Sequence, residues 1–225
     1  MFIDPLFNTY KPMDEGPLKE RILNLARGNG IPADDVLQFN ASRQTTRVSA
    51  NVSGLFGTMR IALNDNLLTR CTPDEVASVM AHEMAHYSLN HVYESLFYFA
   101  LVMLAGFAFL HWASVRLLRR CGGRWGVRDT GDPAGLPLLF FLFAFFLFAA
   151  TPVVNSIIRS NEVEADLFSL NVARQPEAWA SVVLKLAAYR KLDPSPLEEW
   201  IFYDHPSGRS RILMAMRWQQ AFGEK

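Results

Sequence analysis

The chain is predicted to be mainly α-helical and embedded in a membrane, with a small β element beside one functional helix. Three observations predict this. Two long runs carry no charged side chain, Ser95 to Val115 and Pro133 to Ile158. A capped helix carries the pattern His82-Glu83-Met84-Ala85-His86, the H-E-x-x-H spacing. Two short β-prone segments, Arg47 to Ser53 and Met59 to Leu63, flank Gly54-Leu55-Phe56-Gly57.

The 225 residues hold 22 basic and 22 acidic side chains. That balance argues against nucleic acid as a partner, since such proteins usually show a basic excess. The 17 phenylalanines are concentrated in the two uncharged runs, which leaves a modest polar domain around them. Cys71 and Cys121 have no C-x-x-C partner and read as free thiols on opposite sides of a bilayer.

Residues 1–17 read as an irregular lead-in. Leu18 to Arg27 has helical periodicity and stops at Gly28-Asn29-Gly30. Pro32 to Asp35 is a turn, and Val36 to Asn40 a short strand. The pair around Gly54 has two readings: an edge that holds a peptide by strand addition, or a structural hairpin.

Thr72-Pro73-Asp74-Glu75 supplies an N-cap, a proline at the first helical position and a capping-box glutamate. The helix it starts carries His82 and His86 four residues apart, one turn above each other on one face. Two imidazoles so placed can hold one zinc ion. Glu83 beside them can serve as general base toward water. No glycine or proline interrupts Asp74 to Ala105, so this helix is expected to run directly into the first apolar run.

At 1.5 Å per residue Ser95 to Val115 extends about 31 Å, enough for a bilayer core. The second run is densest from Leu136 to Val154. A buried soluble hairpin is the alternative, but a polar domain this small cannot cover Leu138 to Phe148. Residues 1–94 therefore hold the first part of a catalytic domain, 95–115 and 136–158 two transmembrane helices, 116–135 a loop, and 159–225 the second part. The loop carries Arg116, Arg119, Arg120, Arg124 and Arg128. Helical stretches are expected at Ser160 to Ala173, Pro176 to Lys191 and from Ser210.

An antiparallel hairpin returns the chain to the side it left. His86 lies about 13 Å before the first span, so a third ligand is expected about as far beyond the second. Glu162 meets that distance, and Asp166, one turn on, can orient a ligand imidazole through its free N–H. Glu164 is an alternative ligand, and a solvated face bearing all three acids is another. Two histidines and a glutamate leave a tetrahedral position open, as a catalytic site requires.

Read together, these blocks resemble the integral-membrane CAAX prenyl protease family of zinc metallopeptidases. The resemblance rests on Pro5-Leu6-Phe7-Asn8, Asn51 to Gly57 with Arg60-Ile61, and Asp65-Asn66-Leu67-Leu68. It continues through His82 to His86, Glu162 with Ala165-Asp166, and His205-Pro206-Ser207 with Arg211. It implies a membrane-embedded gluzincin-type metallopeptidase that uses one Zn2+ per chain and zinc-activated water to cleave peptide bonds. By the resemblance, the metal ligands are His82, His86 and Glu162, and Glu83 is the base. It adds His205 and Arg211 as residues approaching the reacting centre, and Asn51 with Gly54 bordering a substrate groove. The implied partners are a peptide or protein substrate, lipidated or not, and the lipid bilayer. Quality control of membrane proteins and non-catalytic zinc binding are the alternative functions.

The resemblance covers the family's C-terminal half, whose full-length members carry further spans upstream. It also implies a multi-pass protein whose catalytic side faces the cytoplasm. The positive-inside rule, applied to the arginines between the spans, favours the opposite side.

Overall fold

The computed structural model describes residues 8–54, 59–187 and 190–223. They divide into two compact units. One is formed by the described residues of Met1–Val92, Arg159–Ser195 and His205–Lys225, the other by Tyr93–Ile158 with Pro196–Asp204.

The first unit contains a four-stranded sheet in the order β1-β2-β4-β3. Its strands are β1 (Tyr10–Pro12), β2 (Val36–Phe39), β3 (Ala50–Ser53) and β4 (Arg60–Asn64). β2 and β4 run parallel in register Val36 to Ile61, and β3 is antiparallel to β4 with Ala50 opposite Leu63. The strand pair expected around Gly54 is therefore β3 and β4. β3 is an edge strand, with one row of backbone groups outside the ladder. β1 falls in the segment read as irregular; three residues ending in proline carry no alternation to detect.

Between strands and beyond them come α1 (Pro17–Gly28), α2 (Asp65–Arg70), α3 (Pro73–Ser88), α6 (Pro176–Leu186) and α8 (Gly208–Phe222), with two longer helices, α4 (His91–Trp125) and α5 (Leu136–Ala173), and a short α7 (Pro196–Phe202). α2 and α7 are too short for a periodic signal and were not expected. α2 begins where Asn64, buried, accepts the Leu67 N–H at 2.8 Å and donates to the Arg47 carbonyl at 2.7 Å. Asp65 accepts from the backbone N–H and hydroxyl of Ser42. Much of the Asp65-Asn66-Leu67-Leu68 block thus fixes a turn.

α3 lies at the centre of the first unit, packed against α1, β3 and α6. Val76, Met80 and Met84, each one turn apart, are fully buried among Ile22, Ile61, Leu63, Leu170 and Val182. Its first turn carries the expected capping box: Thr72 Oγ1 accepts from the Glu75 N–H at 3.3 Å, and Glu75 Oε2 accepts from the Thr72 N–H at 2.7 Å. Glu75 is also gripped by Ser181 and Lys185 of α6, each at 2.6 Å.

The uninterrupted helix expected from Asp74 to Ala105 does not form. α3 ends at Ser88, and Asn90 takes a left-handed conformation with φ 60° before α4 starts at His91. Asparagine tolerates that region better than most residues and closes helices much as glycine does.

In the second unit, the apolar stretches of α4 and α5 are long enough to cross a membrane and only 11% buried, unlike a soluble core helix. Gly106 lets them approach: a Cβ there would stand 2.6 Å from Cε1 of Phe146. Phe109 stacks on Phe145 and Phe146 beside it. The polar loop is shorter than expected. α4 continues to Trp125 and carries Arg116, Arg119, Arg120 and Arg124 on helix, because arginine is a good helix former.

Candidate metal centre

α3 presents His82 and His86 on one face, and α5, continuing past its apolar stretch, presents Glu162 to them. One ligand atom from each lies within 4.8 Å of the others. His82 Nε2 is 3.3 Å from Glu162 Oε2, and His86 Nε2 is 3.5 Å from Oε1. Glu162 is the convergent acid. Glu164 turns to His91 Nε2 at 3.4 Å and is more than half exposed.

The arrangement fits a cation on its own chemistry. Three atoms able to present lone pairs face one another, and Glu162 Oε2 is buried with no hydrogen bond from the described residues. Without a metal, the charge of this carboxylate is met by the imidazoles of His82 and His205 beside it; a cation between the three ligand atoms would take over that role. Each imidazole has a polar neighbour at its far nitrogen. Asp166 Oδ1 is 3.0 Å from His82 Nδ1, though off the line of a well-formed hydrogen bond. His91 Nδ1 is 3.0 Å from His86 Nδ1.

Asp166 is fully buried and held in turn by Arg211, which donates from Nε at 2.8 Å and Nη2 at 2.6 Å. Trp179 of α6, also buried, stacks on the His82 ring at 5.3 Å and carries the Arg211 guanidinium 5.0 Å from its own centroid. The site wall is therefore Arg211 on Trp179 on His82. His205 reaches Glu162 Oε2 at 3.3 Å, from a turn that Ser207 closes by capping α8.

Burial lowers the His82 pKa, but Asp166 and Glu162 more than reverse this and carry it up to about 9. His86 goes the other way, to about 4, first by burial and then by the charge on His82. Burial pushes the Glu83 carboxyl up to about 7, against the pull of His82 and Arg211. A carboxylate that titrates near neutrality is matched to proton transfer at neutral pH.

Of the other expected residues, Asn51 lies on β3 and its Oδ1 is buried with no hydrogen-bond partner among the described residues. Gly54 follows that strand with φ 149°, a conformation closed to most side chains. Pro5-Leu6-Phe7 and Leu55-Phe56-Gly57 lie outside the described residues. His91 and Trp179 were missed. Neither stands at a ligand spacing, and their places near the site arise from the turn at Asn90 and from the packing of α6 on α3.

Residues 12–219 match the model of peptidase family M48. The chain belongs to that family. It is 34% identical over 98% of its length to the uncharacterized metalloprotease YhfN of Bacillus subtilis, covering 52% of that protein. It is 27% identical over 94% of its length to CAAX prenyl protease 1 of Saccharomyces cerevisiae, covering 50% of it. The crystal structure of S. mikatae Ste24p superposes with a TM-score of 0.79 at 24% identity, covering 95% of this chain and 53% of that one. Among M48 peptidases, then, the likeness to CAAX prenyl proteases expected from the motif blocks holds, and so does the mainly helical fold. The chain spans about half the length of the curated relatives it matches.

Proposed function

We propose that this chain carries the active site of a membrane-bound zinc endopeptidase that cleaves peptide bonds near the bilayer surface. The observation that supports the reading most is the convergence of His82, His86 and Glu162, with Glu83 next to the first histidine on the same helix. His82 and His86 through Nε2 and Glu162 through its carboxylate would hold zinc, which supplies Lewis acidity to polarise a carbonyl and acidify water.

The remaining work falls to the chain's own residues. Glu83 takes a proton from the attacking water and passes it to the leaving amine. His205, near Glu162, donates a hydrogen bond to the oxygen of the tetrahedral intermediate. Asp166, clamped by Arg211, keeps His82 in the tautomer that presents Nε2. A substrate strand pairs with the edge of β3 that carries Asn51. The substrate class is the C-terminal tail of a membrane-associated protein, lipidated or plain. α4 and α5 cross the bilayer, and the catalytic side faces the cytoplasm.

The test is peptide cleavage by purified protein in detergent, wild type beside Glu83→Gln. The amide keeps the shape and the ligands but takes no proton, so the rate falls about a hundredfold or more. Wild-type hydrolysis is lost on chelation and returns with zinc. Equal hydrolysis by both proteins refutes the mechanism, and zinc binding without hydrolysis by either favours a non-catalytic role.

A further inference from the structure

We propose that His91 positions His86 as a metal ligand, by accepting the hydrogen bond that fixes its tautomer and ring plane. The inference rests on the metal-binding reading of His82, His86 and Glu162. His91 is the first residue of α4 and only 3% exposed. The left-handed turn at Asn90 folds its ring back to 5.1 Å from that of His86, edge to face.

The two Nδ1 atoms stand 3.0 Å apart, so one must donate and the other accept. A neutral imidazole has one N–H. If His86 carried it on Nε2, that hydrogen would point toward Glu162 Oε1, 3.5 Å away, and no lone pair would face the site. With the hydrogen on Nδ1, His86 donates to His91 Nδ1 and frees Nε2 for a metal. His91 then carries its own hydrogen on Nε2 and donates to Glu164 Oε2 at 3.4 Å. The two ligand histidines are thus held differently, His82 by a buried carboxylate that is itself clamped, His86 by a neutral ring tied to a half-exposed glutamate. Groups that hold ligand imidazoles in this way typically change metal affinity by about 10–100-fold.

The test is the zinc dissociation constant of the full chain in detergent, by competition with a chromophoric chelator, and the visible spectrum of the Co2+-loaded protein. His91→Leu keeps apolar bulk but accepts no hydrogen bond; it should raise the Kd about tenfold or more and shift the Co2+ bands. His91→Asn places an acceptor near the position of Nδ1 and should stay within about threefold of wild type. A leucine variant that binds as tightly as wild type overturns the proposal. So does an asparagine variant that weakens as much as the leucine one while both unfold at the wild-type temperature. Should the leucine variant not fold, Glu164→Ala, which removes the acceptor from a half-exposed side chain, decides: a rise in Kd clearly beyond about threefold supports the relay, and a Kd within that range overturns it. Wild-type protein that takes up no zinc defeats this inference and the metal reading together, whereas tight wild-type binding unaffected by His91 defeats this inference alone.

Discussion

Arg211 holds Asp166 with two parallel hydrogen bonds, and the carboxylate they fix faces the far nitrogen of His82. Both partners are buried, so this is a pair in which losing one member strands the other. Removing one partner of a buried pair costs about 3–5 kcal/mol, far more than any exposed ion pair contributes. Arg211→Ala is therefore expected to lower the unfolding temperature and weaken zinc binding together. Arg211→Lys keeps the charge but loses the fork, and should recover only part of both. Thermal unfolding and zinc titration of the two variants check this.

Glu75 gives a pH dependence. Burial raises its pKa, but the hydrogen bonds from Lys185, Ser181 and the Thr72 N–H outweigh that and leave it below the ordinary value. A carboxyl with a depressed folded-state pKa stabilises the fold above the ordinary carboxyl range, near pH 4.3, and loses that contribution as pH falls through the lower value. Wild type and Glu75→Gln should differ in stability at neutral pH and converge in acid. A stability gap that persists unchanged to about pH 2 contradicts the assignment.

Membrane sidedness can be read from one thiol. Cys121 lies beyond the apolar stretch of α4, at the end away from His91, and is partly exposed. With the catalytic side in the cytoplasm, a membrane-impermeant maleimide applied to intact cells should label Cys121. Protection of Cys121 until the cells are opened reverses the orientation and favours the side that the nearby arginines indicate.

The close approach at Gly106 predicts an overpacking defect. Gly106→Ala drives a methyl group into the Phe146 ring and should cost about 1–3 kcal/mol of hairpin stability. Phe146→Leu in the same chain should return part of it, which a double-mutant cycle in detergent measures.

Much of this protein is written in local pattern. The capping box and the four-residue spacing of His82 and His86 define α3 and its metal-facing side, because helical geometry fixes which side chains share a face. The two uncharged runs mark the apolar stretches of the long helices, because each is as long as a helix needs to be to cross a bilayer. Glu162 was reachable because an antiparallel hairpin makes distance before one span equal distance after the other. What lies between elements was not legible. The break at Asn90 depends on one residue's tolerance for a left-handed conformation, and nothing in the apolar periodicity marks it. Trp179 against His82, Arg211 on Asp166 and His91 on His86 arise when α6, α8 and the start of α4 close around α3. Such contacts are set by packing across large sequence separations, where spacing along the chain carries no information about direction in space. Local pattern thus pointed to His82 and His86 on one helix, and to Glu162, Glu164 and Asp166 as the acids beyond the second run. Only the fold selected Glu162 as the acid that converges on the histidines and brought Arg211, Trp179 and His91 around them, because those contacts depend on packing between separate helices.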